Sequence, residues 1–250
     1  MNIRIIWVIA LIISMLSCKS QYRIMEMQGE IIEINSSFDS NPNPALHKMV
    51  LSYKTQLDSE MNIPIGNSVS LMEYKRPESL LTNLTSDVMK EYGDEHIPDG
   101  ADVGVMNVHG HRATMPKGTV TIGNLFEIYS FDNTITFLDL KGSDLNKMFD
   151  AYARIGGAGI SSNVKLIIED EKVKNVTIDN KPIDNDRIYK IVTLDYLAEG
   201  NDNMSSLLNA ISVNNTGVTL RDIMIDWVKE QSRMGKEIES SLDGRIIIIE

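Results

Sequence analysis

An apolar alternation stands directly before a polar loop in the segment Asp102-Val103-Gly104-Val105-Met106-Asn107-Val108-His109-Gly110-His111-Arg112-Ala113. Alternating apolar residues predict a half-buried strand, and the loop after it carries an amide, two imidazoles and a guanidinium. The guanidinium fork matches the oxygens of phosphate or carboxylate. The loop therefore predicts a site for an anionic ligand, although a surface loop with an exposed arginine fits the same residues.

The overall charge restricts the ligands that fit this chain. Its 250 residues include 35 acidic and 24 basic side chains, for a formal net charge of −11. Such a balance argues against a surface that binds nucleic acid or anionic membranes in general. An anionic ligand would need a local basic pocket, for which the candidates are Arg76, Arg112, Lys117 and Arg154.

The first residues predict a leader. Residues 1–17 contain Arg4 and an apolar run that begins at Ile5, which is too short to span a bilayer and is typical of a signal peptide. Cys18, the only cysteine, follows this run and resembles the acylated cysteine of a bacterial lipobox. We expect a lipid on Cys18 to anchor the protein in the cell envelope, on the periplasmic or surface side of the outer membrane. A plain secretory peptide is the alternative.

Periodicity indicates the organisation of the remaining chain. We assign residues 18–43 to a tether with a first strand at the alternating run 29–34, and residues 44–250 to one domain. The predicted helices cover 44–58, a segment after Pro77 that Gly93 ends, a segment capped by Gly142 or Ser143, and a segment around 220–228. The predicted strands are 134–140, 164–169, 172–178, 187–194 and 245–249, with 164–194 as an antiparallel meander. This order predicts an α+β (mixed α/β) domain with a mixed sheet flanked by helices.

Three further patterns have both a functional and an ordinary interpretation. Phe131 and Tyr196 lie where they can stack on a base, although a tyrosine at a strand end more often packs in a core. His109 and His111 have the spacing of a metal-binding pair, but a stable site needs three or four ligands. The glycine-rich run 155–162 follows a helix rather than preceding one, so it indicates a connection that lines a pocket and not a phosphate loop.

Taken together, these motifs resemble, in order, the C-terminal domain of 5′-nucleotidases. The matching segments are Arg76 with Asn83-Leu84 and Asp87, Asn107 to Arg112, Gly118 to Thr121, Ser130 to Thr134, Leu140 to Leu145, and Tyr196 to Asn203. The resemblance implies that the Asn and Arg of the loop contact the nucleotide and that this Arg binds phosphate. It also implies that two aromatic rings hold the base and that an Asp in the last loop holds the ribose. The substrate-binding residues so implied are Arg76, Asn107, Arg112, Phe131, Tyr196 and Asp202. Val108, His109 and His111 depart from the family's loop and predict a stiffer one.

The catalytic domain of that family holds two metals through Asp-x-His, Gly-Asn-His-Glu and Gly-His-x-His runs, none of which occurs in this sequence. The resemblance therefore implies the substrate-recognition half of a split 5′-nucleotidase in nucleotide catabolism. A separate metallophosphoesterase chain is expected to supply two divalent metals and the catalytic residues. We expect a nucleotide or nucleoside as ligand, no nucleic acid, and a membrane contact through Cys18. The alternatives are a non-catalytic nucleoside- or nucleotide-binding envelope lipoprotein and a scaffold.

Overall fold

A computed structural model describes residues 26–27, 29–40 and 42–249. The predicted leader and Cys18 lie outside the described residues. The chain divides after Val50 into two compact units. In the described residues no helix combines the length and the apolar character that crossing a bilayer requires.

The helices agree with the predicted periodicity at most positions. They are α1 Pro44–Met61, α2 Leu80–His96, α3 Ile122–Ile128, α4 Gly142–Arg154, α5 Asp195–Ala198 and α6 Leu220–Arg233, with 3₁₀ turns at Ser36–Ser40, Val108–Gly110 and Ser205–Asn209. The strands are β1 Pro64–Ser68, β2 Val103–Met106, β3 Gly118–Thr121, β4 Thr134–Lys141, β5 Gly159–Ile160, β6 Val164–Glu169, β7 Lys172–Ile178, β8 Lys181–Pro182, β9 Ile188–Leu194, β10 Ser212–Thr219 and β11 Ile246–Ile249. The predicted mixed α/β class is confirmed.

The strands of the described chain form three sheets. The central sheet has five strands in the order β10-β4-β9-β2-β5, a second sheet has the order β11-β6-β7-β8, and β1 pairs with β3. Within the central sheet β2 runs parallel to β9, whereas β4 runs antiparallel to it. The central sheet is therefore mixed, and β9 is hydrogen-bonded on both sides.

Both faces of the central sheet are buried at β9. Ile191 belongs to a core with α4, β6 and β7, whereas its neighbour Val192 belongs to a core with α2 and α6. Successive side chains of a strand point to opposite faces, so this alternation places β9 between the two cores. The strand ends of this sheet are thereby held in fixed positions.

Two predictions about strands are wrong. Residues 29–35 form neither helix nor strand, and Ile31 and Ile34 are exposed. A strand needs a hydrogen-bonded neighbour, and apolar alternation alone does not supply one. The predicted meander is also interrupted, because β9 leaves β6, β7 and β8 and pairs with β2 and β4 in the central sheet.

Two predicted helix ends are wrong for reasons of packing. Gly93 lies inside α2, where an added Cβ would lie 2.3 Å from the Val192 Cγ2 atom, so this glycine allows close packing and does not end the helix. The N-cap of α4 is Lys141 and its side chain makes no capping bond. The first amides of that helix, from Gly142 and Ser143, instead donate to the carbonyls of Arg187 and Asn185.

A buried arginine attaches the C-terminal strand to α2. Arg245 is 2% exposed, and its Nη1 and Nη2 atoms each lie 3.0 Å from an oxygen of the Asp87 carboxylate. Its Nη2 also donates to Asp243, and its Nη1 to the carbonyl of Ile160. Because all these partners depend on one guanidinium, Arg245 connects α2, β5 and β11.

A buried histidine supports the loop after β2. His111 is 1% exposed, with Nδ1 3.1 Å from the carbonyl oxygen of Val108 and Nε2 2.9 Å from the Thr85 hydroxyl. A carbonyl only accepts, so Nδ1 carries the proton and Nε2 is the acceptor that faces the Thr85 hydroxyl. The single hydrogen of that hydroxyl is shared between Nε2 and the Leu81 carbonyl oxygen at 2.8 Å, while the Thr85 oxygen accepts from Tyr129 across 2.7 Å. Burial lowers the pKa of His111 to about 4, so the imidazole is neutral at pH 7.

We expect Arg245→Ala to lower the free energy of unfolding by about 2 kcal/mol, because it leaves the buried carbonyl of Ile160 and the partly exposed carboxylates of Asp87 and Asp243 without their donor. Urea denaturation at pH 7 measures the loss. Arg233→Ala is the matched control, since its ion pair with Glu230 is exposed; it should change stability by less than about 0.5 kcal/mol. Equal losses in the two variants would contradict the assigned role of Arg245.

The buried imidazole predicts acid sensitivity. The pKa of His111 is 6.5 in the unfolded state and about 4 in the folded state, so the unfolded state binds the proton more readily. The stability that the neutral imidazole allows is therefore fully present above pH 6.5 and is lost as the pH falls toward 4. Relative to His111→Gln, the wild type should lose about 3 kcal/mol more between pH 7 and pH 4. Denaturation at a series of pH values checks this, with His47→Gln on α1 as the control. Parallel profiles for wild type and His111→Gln would disprove it.

Candidate functional site

The strand pairing brings three predicted site segments to one edge of the central sheet. Asn107 follows β2 and Tyr196 follows β9, and these strands are parallel, with Gly104 opposite Val192. Phe131 precedes β4, which begins beside the end of β9 with Ile135 opposite Leu194. Parallel strands that end together, beside an antiparallel strand that begins there, place the three segments at the same edge.

The first half of the site is a hydrogen-bonded group of three side chains. Asn107 Nδ2 donates to Asp202 Oδ2 across 2.6 Å, and the Tyr196 hydroxyl donates to Asp202 Oδ1 across 3.1 Å. The carboxylate of Asp202 raises the pKa of Tyr196 through this bond, so the phenol remains protonated. Tyr196 is 39% exposed, so part of its side chain is accessible to a ligand.

The conformation of the Asp202 loop is fixed locally. Asp202 and Asn203 have φ values of 54° and 64°, in the left-handed region that aspartate and asparagine tolerate better than most residues. The Asn201 side chain donates to the Tyr196 carbonyl across 2.8 Å. The Asp202 carboxylate is thereby directed at Asn107 and Tyr196.

The second half of the site pairs a cation with an aromatic ring. The Arg112 guanidinium carbon lies 5.6 Å from the centroid of the Phe131 ring, within the range of a cation–π contact. The Arg112 backbone amide donates to the carbonyl of Ile128, which fixes this end of the loop. Phe131 is 46% exposed, so both side chains are accessible to a ligand.

Arg76 reaches the same loop from the other side. Its Nε donates to the carbonyl of Gly157 across 2.9 Å, and its Nη1 lies 3.3 Å from His109 Nε2. The glycine-rich connection thus supports the Arg76 side chain with a backbone acceptor. The contact with His109 was not predicted, because sequence spacing does not relate a residue before α2 to one after β2.

Arg76 and Arg112 differ in their partners from four other arginines of the described chain. In the described part of the chain neither forms an ion pair with a carboxylate. The arginines that do pair with Asp or Glu are Arg187, Arg221, Arg233 and Arg245. In a protein with excess negative charge, two accessible guanidiniums without carboxylate partners leave a local positive field at this edge.

The two histidines of the loop do not converge. His111 points into the core toward Thr85, whereas His109 contacts Arg76. Among residues 26–27, 29–40 and 42–249, no three His, Cys, Asp or Glu side chains are grouped as metal ligands. The two imidazoles therefore point to different parts of the structure, His109 to the site and His111 to the core.

Two of the three residues at which the loop departs from the family pattern are buried in the core. Val108 is 2% exposed and His111 is 1% exposed, so both hold the loop from the core side. An added Cβ at Gly110 would lie 2.7 Å from Asn107 Oδ1, and this glycine lets the loop turn closely around the amide. His109 is the one changed position that faces the site.

Comparison with known proteins indicates the family to which this chain belongs. The family model for the C-terminal domain of 5′-nucleotidases matches residues 56–209. The Protein UshA of Yersinia enterocolitica is 25% identical over 196 residues, which cover 76% of this chain and 35% of that protein. A 5′-nucleotidase of Vibrio parahaemolyticus is 29% identical over 140 residues, covering 53% of this chain and 24% of that protein.

Solved structures show the same fold. The 5′-nucleotidase precursor of Thermus thermophilus superimposes with a TM-score of 0.71 at 24% identity, covering 84% of this chain and 44% of that one. The NAD nucleotidase of Haemophilus influenzae superimposes with a TM-score of 0.62 at 17% identity, covering 85% and 44%. The chain therefore spans less than half the length of these relatives. With the family model matching more than half of its residues, the chain belongs to the 5′-nucleotidase C-terminal domain family.

Proposed function

We propose that this chain is the substrate-recognition half of a 5′-nucleotidase and acts beside a separate metallophosphoesterase chain. The observation that carries the proposal is the pair of accessible arginines, Arg76 and Arg112, which lack carboxylate partners in the described chain and flank one loop. That loop also presents Asn107 to Asp202. Two guanidiniums, two aromatic rings and the Asp202 carboxylate therefore lie at one edge of the central sheet.

Each part of a nucleotide has a chemically suited group in this arrangement. The guanidiniums of Arg76 and Arg112 supply charge-assisted donors for phosphate oxygens. The exposed rings of Phe131 and Tyr196 supply stacking surfaces, each worth about 1–3 kcal/mol per base. The Asp202 carboxylate retains acceptor capacity beyond its two bonds, which suits the hydroxyls of a ribose.

The metals of the reaction are assigned to the partner. The described residues of this chain offer no group of three ligands, and the imidazoles of His109 and His111 point apart. Two divalent metals bound by the partner would activate water and stabilise the phosphoryl charge. The residues of this chain bind and orient the substrate and exclude water from its base.

The proposed location is the bacterial cell envelope. Cys18 follows an apolar leader, and acylation of its thiol would anchor the chain on the periplasmic or surface side of the outer membrane. This placement gives the chain access to nucleotides that arrive from outside the cell.

Phosphate release from AMP should require both chains. The purified chain with Mg²⁺ or Mn²⁺ should show no turnover, and turnover should appear when a metallophosphoesterase encoded beside this reading frame is added. Arg112→Ala, assayed with the partner, should lower kcat/KM by roughly 10–100-fold because a charge-assisted bond is worth about 1.5–3 kcal/mol. Single-chain turnover that disappears in His109→Ala would refute the division of labour.

Calorimetric titration of two variants should show which side chain binds the base of the ligand and which binds its phosphate. Tyr196→Ala should weaken both AMP and adenosine by roughly 5–150-fold, the equivalent of about 1–3 kcal/mol of stacking. Arg112→Ala should weaken AMP by roughly 10–100-fold and leave adenosine nearly unchanged, since adenosine carries no phosphate.

Tyr53→Ala, on the exposed face of α1, is the matched control and should bind both ligands as the wild type does. If AMP binds and no partner restores turnover, the chain is a non-catalytic binding protein. If neither ligand binds, a scaffold role replaces the recognition role.

A further inference from the structure

A groove runs between α2 and α6, on a part of the surface that the candidate site does not use. It consists of two adjoining cavities of about 590 Å³ and about 490 Å³, and Val88, Glu91 and Trp227 line both of them. The larger cavity extends to His96 and the smaller one to Leu84, at opposite ends of α2. The groove therefore follows about 12 residues of that helix, or roughly 18 Å at ~1.5 Å per residue.

The accessible apolar surface of this α2–α6 groove comes from four side chains of the larger cavity. Met234 is 46% exposed, and Tyr92, Val218 and Trp227 are half-buried. Trp227 Nε1 donates to a carboxylate oxygen of Glu91 across 2.9 Å. Because the indole N–H is already bonded, Trp227 offers a ligand only the apolar part of its ring.

The rim of the groove is negatively charged. Glu91, Glu95, Asp226 and Glu230 line the larger cavity, and no described lysine or arginine lines it. Arg233 offsets the charge of Glu230, with which it forms an ion pair of 2.6 Å. The other three carboxylates form no ion pair in the described chain, so the rim keeps about three negative charges.

Basic residues next to the groove do not cancel this charge. Lys90 is paired with Asp94 across 2.8 Å, and Lys229 lines neither cavity. Among the described residues that line the smaller cavity, Arg245 is the only lysine or arginine, and it already binds two carboxylates. The groove therefore combines accessible apolar surface with an excess of acceptors for a cation.

The length and the charge of the groove together favour a polypeptide as its occupant. A single small cation would occupy one of the two cavities, whereas a segment of protein chain extends along both. Lysine and arginine place charged heads near carboxylates while their aliphatic stems cover apolar surface. The negative rim repels nucleic acid, anionic lipid and acidic protein segments.

We propose that the α2–α6 groove binds a basic amphipathic helix of a partner protein. Apolar side chains of that helix pack on Trp227 and Met234, and its lysines or arginines face Glu91, Glu95 and Asp226. The proposal is independent of nucleotide recognition, because none of the predicted substrate-binding residues lines either cavity.

Trp227 makes occupancy of the groove measurable. The sequence has two tryptophans, so the full chain with Trp7→Phe keeps Trp227 as its only one. The probe is a model peptide of about 14 residues, with leucines at helical spacing on one face and lysines elsewhere. Titration of this peptide should change the emission of Trp227 in a saturable way. Anisotropy of a labelled peptide measures the same binding without depending on the emission change.

Removal of two rim charges should weaken this binding. The double variant Glu95→Gln/Asp226→Asn should bind the peptide roughly tenfold more weakly, because two charge contacts are lost. Both side chains are exposed, and circular dichroism verifies that the variant folds. The matched control, Glu127→Gln/Glu171→Gln, removes the same charge from exposed positions outside the groove and should bind as the wild type does.

Two further probes separate the chemistry of the occupant. A peptide with glutamine in place of every lysine should bind more weakly than the lysine peptide, and spermidine should not displace the lysine peptide. Absence of saturable binding, or equal losses in the two double variants, would overturn the proposal. Binding of spermidine in place of the peptide would overturn the polypeptide occupant. A chain that binds the peptide but neither AMP nor adenosine would support this proposal and remove the recognition function.

Discussion

The site depends on the position of β9 between β2 and β4. The parallel pairing with β2 and the antiparallel pairing with β4 bring the end of two strands and the start of a third to one edge. Asn107, Phe131 and Tyr196 are far apart in sequence and meet only through this register. A shift of one residue would turn every side chain of β9 to the opposite core, so the two buried faces fix the register and with it the site.

The distribution of charge within an acidic protein explains where anions can bind. Four arginines of the described chain are neutralised by neighbouring carboxylates, and they support the fold or the surface. Arg76 and Arg112 are not neutralised in this way. Overall negative charge repels anions from most of the surface, so under the proposed function a phosphate is expected at the guanidiniums without carboxylate partners.

Much of this arrangement could be predicted from sequence, because ordered motifs and apolar periodicity are local properties. The helices and the loop after β2 are of this kind. The transfer of β9 out of the meander depends on pairing with distant strands, and no local pattern encodes it. Gly93 illustrates the same limit: a glycine near a helix end indicates a cap, whereas here its small size accommodates Val192 from another segment.

The residues at which the loop after β2 departs from the family pattern either support the loop from the core or face the site. Val108 and His111 are buried, so they stiffen the loop without meeting a ligand. His109 instead lies against the Nη1 atom of Arg76, where a neutral imidazole nitrogen can accept the guanidinium's hydrogen. A phosphate that engages this nitrogen of Arg76 must replace that acceptor or share it. Under the proposed function, the net gain from phosphate binding at Arg76 is therefore expected to be smaller than for a guanidinium that faces water alone. Arg112, whose guanidinium lies over the Phe131 ring, is then the expected stronger determinant of phosphate affinity.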